Sequence, residues 1–213
     1  MAAAEHFMQY AATWPNAQLT YHASDMYLYL QSDLGYLNER DARSRVGGLG
    51  YLGNKPPQQL DPKVPLSFIN SPICAISGVL DVVVGSAMEG EYGTMYKIAM
   101  HGEVLRNTLT DLGYPQAATP LQGDNKVAVG IANNKFKQRR SKAIDMRFHW
   151  IRDRVKQGHY NVYWRQGHNN LADYFTKIHS ATHHRAMRKF FVSDPPLLVP
   201  PDTARTRRLQ RRQ

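Results

Sequence analysis

Residues 86–113, SAMEGEYGTMYKIAMHGEVLRNTLTDLG, decide how the rest of the chain is to be read. Met88, Tyr92, Met95, Ala99, Gly102, Leu105, Leu109 and Leu112 recur at spacings of three and four, the stripe of an amphipathic helix, and Gly113 stops it. Glu91, in the first turn, lies one turn before Met95 and Ile98, so it shares the buried stripe. A carboxylate pointing into a core without a partner is costly, and a bound divalent cation would offset that cost.

Working outward from this helix, the N-terminal side reads as strands. Tyr27 to Ser32 alternate in a β-rich pattern and run into Asp33, and Val46 to Leu52 and Leu66 to Ile76 give two more runs bounded by Gly and Pro. Val79 to Ser86 either extends the third strand or forms another. On the C-terminal side a short strand, Thr119 to Gln122, ends at Asp124, and Val127 to Ala132 reads as helical. A further helix carries Ile144, Phe148, Ile151 and Val155 on one face and stops at Gly158. Tyr160 to Trp164 is a strand, Gly167 turns the chain, and Leu171 to Lys177 starts a helix. The order β, β, β, α, β, α, β, α is that of an α/β protein with a mixed sheet flanked by helices.

The 213 residues, 42% of them hydrophobic, suffice for one good core and are too few to favour two. Cys74 is the single cysteine, which excludes an internal disulfide framework and a thiolate zinc cluster and fits a reducing compartment. Met1 to Tyr10 lacks a basic start and a long apolar stretch, and the best apolar run, Val79 to Val84, is broken by Asp81, so the chain reads as soluble with no membrane partner. Lys and Arg number 27 against 17 Asp and Glu, a formal charge of +10, which favours a polyanion such as nucleic acid. Part of the excess lies in one block, Lys135, Lys137, Arg139, Arg140 and Lys142, and part in the tail, Arg205 to Arg212. Each block is either a nucleic-acid contact or a solvated surface.

Four acidic residues stand at element boundaries: Asp33 at a strand end, Glu91 at a helix start, Asp124 at a strand end and Asp173 at the opening of the last helix. Hard oxygen ligands with no soft partner suit Mg2+ or Mn2+, and such a cluster with two ions can activate water against a phosphodiester.

The stretches Ser32-Asp33, Ser86-Ala87-Met88-Glu89-Gly90-Glu91-Tyr92, Gly123-Asp124-Asn125 and Asn170-Leu171-Ala172-Asp173-Tyr174-Phe175-Thr176-Lys177 resemble, in this order, the four acidic motifs of ribonuclease H domains in the Pol polyproteins of copia-type LTR retrotransposons. Residues 137–149 are similar to the family's segment before a helix, and residues 183–188 to its C-terminal end; the similarity runs from about Tyr21 to Arg188. The resemblance implies an RNase H-like fold with a five-stranded mixed sheet, three antiparallel strands then two parallel. Residues 1–20 then read as an N-terminal helical or connecting segment and 21–192 as the RNase H-like domain, while the Pro- and Arg-rich composition of 193–213 reads as a flexible tail. The resemblance also implies a metal-dependent endonuclease that hydrolyses the RNA strand of RNA/DNA hybrids with two Mg2+ ions, Mn2+ being able to substitute, held by Asp33, Glu91, Asp124 and Asp173. Glu91 ranks above its neighbour Glu89 because it precedes the aromatic-small pair. The reverse transcriptase of the same polyprotein becomes the expected partner, in cytoplasmic retrotransposon particles or the nucleus. A domain that binds hybrid or tethers the polymerase without cutting is the alternative.

Hybrids are read through phosphates, ribose hydroxyls and groove shape. The block from Lys135 to Lys142, continued by Arg147 and Arg154, is the candidate phosphate face, and Asn125 either contacts the nucleic acid or caps a helix. His168, in the loop before Asp173, is either a proton donor to the leaving group or an ordinary loop histidine. His179, His183 and His184 have no cysteine or acidic ligand at metal spacing and read as a helix surface. Of Tyr163 and Trp164, which could stack on nucleotides, alternation places at least one in the core.

Overall fold

The sheet is built on β1 (Tyr27–Gly35), which buries Leu28 and Leu30 on one face and Tyr29 and Gln31 on the other. In the computed structural model, which describes residues 2–61, 63, 70–135 and 145–194, β1 pairs antiparallel with β2 (Arg45–Gly53) from Tyr27↔Gly53 to Gly35↔Arg45. β2 pairs antiparallel with β3 (Cys74–Val79). On its other edge β1 runs parallel to β4 (Thr119–Gly123) through Leu30↔Leu121 and Gln31↔Gln122, and β4 runs parallel to β5 (Tyr160–Trp164). The order β3-β2-β1-β4-β5 is the mixed five-stranded sheet anticipated above.

Parallel neighbours require crossover connections, and helices supply them. α2 (Ala87–Asp111) leads from β3 to β4, while α3 (Lys126–Ala132) and α4 (Asp145–Lys156) lie between β4 and β5. They cover one face of the sheet, where Leu28, Leu30, Val46, Met95, Ile98, Ala99, Leu121, Ile151 and Val162 form the main core. Each large apolar side chain fully buried there stabilises the fold by about 1.5–3 kcal/mol. The opposite face has a smaller cluster of Tyr29, Leu49 and Tyr51, packed by Leu171, Phe175 and Phe191. β2 is rich in glycine because both faces are approached closely. A Cβ on Gly48 would lie 2.1 Å from Cδ1 of Ile98 in α2, and one on Gly47 would lie 2.5 Å from the carbonyl oxygen of Ala172.

Several local expectations are corrected. β1 continues past Asp33 to Gly35, so Asp33 lies inside the strand. The third strand begins at Cys74, with Asn70 to Ile73 outside it, and the earlier part of the expected Leu66 to Ile76 run lies outside the described residues. Val79 ends β3, paired with Arg45, the first residue of β2; the Leu80 amide still donates to the Ser44 carbonyl at 2.8 Å, and from Leu80 to Ser86 the chain is a loop and not a strand. Leu80 and Val84 still anchor this loop in the core. Glu91 falls in the second turn of α2, because the helix starts at Ala87. Leu171–Phe175 is a 3-10 turn and not the start of a longer helix; Asn170 and Thr176, at its two ends, bond to the sheet. The last helix, α5 (Ala181–Arg188), follows Ser180, whose side chain caps it.

Beyond these elements, α1 (Ala2–Thr13) packs against α5. Arg188 donates to the Tyr10 hydroxyl at 3.0 Å, stands 4.2 Å over the Trp14 ring and pairs with Asp194. Among the described residues no helix is long and apolar enough to cross a membrane.

Substituting Gly47 by alanine forces the Leu171–Phe175 turn off the sheet. The expected loss is about 1–3 kcal/mol, read by thermal denaturation as a Tm lower by about 2–4 °C for each kcal/mol in a domain of this size. An unchanged Tm would show that the turn yields freely.

Candidate active site

Asp33, Glu91 and Asp124 each place a carboxylate oxygen within 4.8 Å of the other two, at the edge of the sheet where β1 and β4 end. Each arrives by a different route. Asp33, 4% exposed, is held by the side-chain amide of Asn170, 3.3 Å from its Oδ1, and by the Thr176 hydroxyl, 3.0 Å from its Oδ2. Asn170 also donates to the backbone carbonyl of Ser32 at 2.8 Å, which ties the turn to the strand. Asp124 follows β4 directly, and its backbone carbonyl accepts from the Trp164 indole at 2.7 Å. The loop after β5 comes close to it: a Cβ on Gly167 would stand 3.0 Å from Oδ2 of Asp124.

Glu91 is oriented by the cap of its helix. The Ser86 hydroxyl accepts from the Glu89 backbone, and the Glu89 side chain reaches back to the Gly85 amide at 2.9 Å. Glu89 is thus used in starting α2, while Glu91, two residues on, joins the acidic group.

These side chains sit in an environment hostile to charge. Burial, and then the negative charges of Asp124 and Asp173, push the Asp33 carboxyl up to about 7. Burial, then the charges of Asp124 and Asp33, push Glu91 up to about 10, with a smaller upward push from its hydrogen bond with Asp124. Asp124 is itself raised, mainly by burial. Three acceptors of one chemical type, partly buried and mutually repelling, form a donor set for a hard divalent cation. Their 4.8 Å span is comparable with the roughly 4 Å between opposite oxygens around a Mg2+ ion.

Asp173 stands beside this group without joining it. It raises the Asp33 carboxyl electrostatically, but its Oδ1 accepts from Lys177 Nζ at 2.6 Å. Lys177, Asn170 and Thr176 were not singled out individually from the sequence, although all three lie in the quoted 170–177 motif. Gln31 and Gln122, both buried, had no sequence signal because an isolated glutamine in a strand reads as surface. Gln31 donates to Gln122 at 3.3 Å and accepts from the Leu171 amide, while Gln122 donates to the Asn169 carbonyl at 3.2 Å.

Among the candidate nucleic-acid contacts, Lys135 and Arg147 are described, whereas Lys137, Arg139, Arg140 and Lys142 lie outside the described residues. Arg147 packs 5.8 Å from the Tyr96 ring centroid. Asn125 caps α3, its Oδ1 accepting from the Val127 and Ala128 amides. His168 is exposed, its Nε2 2.9 Å from the Asn169 side-chain amide. Tyr163 is buried and donates to Gln122, while the Trp164 ring lies 4.2 Å beneath Lys126 Nζ. His179 and His183 stack against Tyr174, with His184 bonded to the Tyr174 hydroxyl, in an aromatic cluster.

No family model matches the chain. Over 93 residues, 44% of the chain, it is 30% identical to the retrovirus-related Pol polyprotein from transposon TNT 1-94 of Nicotiana tabacum, of whose length it spans 7%. Solved structures that it is similar to include the N-terminal RNase H domain of a Mycobacterium tuberculosis protein, at 11% identity and a TM-score of 0.47, covering 77% of this chain and 97% of that one. Another is LC11-RNase H1, isolated from compost, at 12% identity and a TM-score of 0.48, covering 76% and 96%. A structure of LC11-RNase H1 in complex with an RNA/DNA hybrid gives 13% identity and 0.46, covering 70% and 93%.

Carboxyls raised in the folded state hold protons that the unfolded chain releases near pH 4. The contribution of these two groups to metal-free stability is therefore fullest in acid and is lost as pH rises through about 7, where Asp33 ionises, and on towards about 10 for Glu91. The Tm of the chelator-treated protein should be higher near pH 5.5 than near pH 8.5, and Mn2+ should raise it more at the higher pH because the ion replaces protons. Asp124→Asn should raise the metal-free Tm at alkaline pH by a few °C and remove most of the Mn2+ effect. A metal-free Tm that climbs between the two pH values would contradict this account.

Proposed function

We propose that this chain hydrolyses the RNA strand of RNA/DNA hybrids, as the ribonuclease H portion of a retrotransposon Pol polyprotein of the copia type. The observation that supports the reading above all others is the convergence of Asp33, Glu91 and Asp124 at one sheet edge, with Asp173 beside them, in a chain similar to a Pol polyprotein.

In this reading Asp33, Glu91, Asp124 and Asp173 hold two Mg2+ ions, for which Mn2+ substitutes. Bound there, the ions would lower the pKa of an attacking water and neutralise charge developing on the phosphodiester and its leaving oxygen. Asn170 and Thr176 fix the Asp33 carboxylate, so that little reorganisation is needed when a cation replaces its proton. Lys177 pairs with Asp173 at 2.6 Å and keeps its carboxylate beside the acidic group, from where Asp173 would be available to hold an ion. His168, exposed on the loop after β5, donates a proton to the leaving oxygen. Lys135 and Arg147, with the basic residues from 137 to 142, meet backbone phosphates, and the +10 charge speeds encounter at low salt. Asn125 is proposed to add a contact through the amide nitrogen of the side chain whose oxygen caps α3. The reverse transcriptase of the same polyprotein supplies the partner, within cytoplasmic particles or in the nucleus.

The deciding experiment incubates the protein with a labelled RNA/DNA hybrid, single-stranded RNA and duplex DNA, with and without Mg2+. The hybrid's RNA strand alone should be cut, only with the ion, and Asp124→Asn should lose at least about 100-fold in kcat/KM. Glu89→Gln should keep most of the rate, at a cost of about 1 kcal/mol in stability from the weakened cap. Salt-sensitive hybrid binding without cleavage in either metal would instead favour a binding or tethering domain.

A further inference from the structure

On the sheet face opposite α2, a cleft of about 450 Å³ opens between the loop after β5 and the end of α5. Arg165 lies in its wall, 4% exposed, and its Nε is buried without a hydrogen-bond partner. Among the described residues no side-chain hydrogen bond or ion pair engages the rest of the guanidinium either. Among the described residues the two other buried arginines are answered: Arg106 by the Ala117 carbonyl and the Thr119 hydroxyl, Arg188 by Asp194 and Tyr10. A desolvated guanidinium without a counter-ion is costly, and it forms a planar fork suited to phosphate or carboxylate. Two further cationic or protonatable groups, His168 and Lys189, line the same cleft, together with Asn169, and no acidic side chain does.

The cleft's position selects the ligand. Arg165 follows β5 and its backbone amide donates to Gly123, the residue before Asp124. Gln31, also in the wall, is two residues before Asp33 on the same strand. Arg165 therefore leaves the sheet at the end where Asp33 and Asp124 lie, in a cleft shared with Gln31 of the Asp33 strand, and a nucleic acid engaged by the acidic group would continue along this surface. The apolar part of the wall, Leu171 and Phe190, offers a surface for a sugar.

We propose that Arg165, with His168 and Lys189, binds a backbone phosphodiester of the nucleic acid, at a position away from the bond that is cut. The inference rests on the hybrid-binding reading above and names a site for it outside the basic block at 135–147.

The test uses the full chain in Ca2+, with hybrid binding followed by fluorescence anisotropy across a salt series. Arg165→Met should weaken binding about tenfold at fixed salt and reduce the slope of log K against log salt by about 0.9, one phosphate contact. Arg165→Lys should recover part of both. Single methylphosphonate substitutions along each strand should reveal one position that weakens binding to the wild type but not to Arg165→Met. The Tm of Arg165→Met should be no lower than wild type, since a buried unpaired charge is removed; affinity lost in step with stability would mark a merely structural arginine and overturn the proposal. Binding by Arg165→Met equal to wild type, or no non-additive position, would also overturn it. So would stabilisation of the wild type by inorganic phosphate with hybrid affinity untouched in the variant, which would mark a free-anion site. A wild type that binds hybrid through Arg165 yet never cuts it would instead remove the nuclease reading and leave this site standing.

Discussion

Three carboxylates within 4.8 Å of one another, partly withdrawn from water, repel each other, and the surrounding structure holds them there against that repulsion. Without a cation the cluster stays folded by keeping protons, as the upward shifts of Asp33 and Glu91 express. A group so arranged is destabilising on its own account, and its retention has to be supported by the cores on both faces of the sheet. That trade, local cost against global packing, is what a preorganised metal site requires.

The support is polar on one face and apolar on the other. Beneath the acidic group, Gln31, Gln122, Asn169 and Asn170 join the parallel strands to the 167–176 segment through buried hydrogen bonds. Each member has a partner, so the network fixes the segment without leaving an unsatisfied group among these amides. Over the sheet, α2 approaches through Gly48 and Gly102, where a Cβ would strike Ile98 and Leu30 side chains at 2.1 Å and 2.4 Å. The helix therefore cannot slide easily, and Glu91 is held in register with Asp33.

How much of this was legible depended on the period of each signal. The α2 stripe and the alternation of β1 are long, and both elements were placed to within a few residues. The Val79 to Ser86 run misled because its valines look like a strand while the pairing edge they would need stops at Arg45. The 3-10 form of Leu171–Phe175 was hidden because its geometry comes from Asn170 and Thr176 gripping a strand 138–143 positions away. Local patterning carries no record of such contacts. The choice of Glu91 over Glu89 was available from the helical stripe, and the cap supplies the complementary reason: two residues turn a helix by roughly 200°, so one glutamate faces the sheet edge while the other reaches back to Gly85.

Strand direction explains why residues scattered from position 33 to position 173 meet at all. β1 pairs antiparallel with β2, and β2 antiparallel with β3, so β1 and β3 point the same way; β4 and β5 are parallel to β1. Four strands thus finish at one edge of the sheet. Asp33 lies near the end of β1, Asp124 follows β4, and the loop bearing His168 and Asp173 follows β5. α2 begins near that edge because the loop that follows β3 leaves from it, which delivers Glu91. Ligands of open α/β sheets collect at the carboxyl ends of strands for this reason. Arg165 obeys the same rule: the residue directly after β5 is carried to this edge, and it lines the cleft on the face opposite α2, beside the Leu171–Phe175 turn.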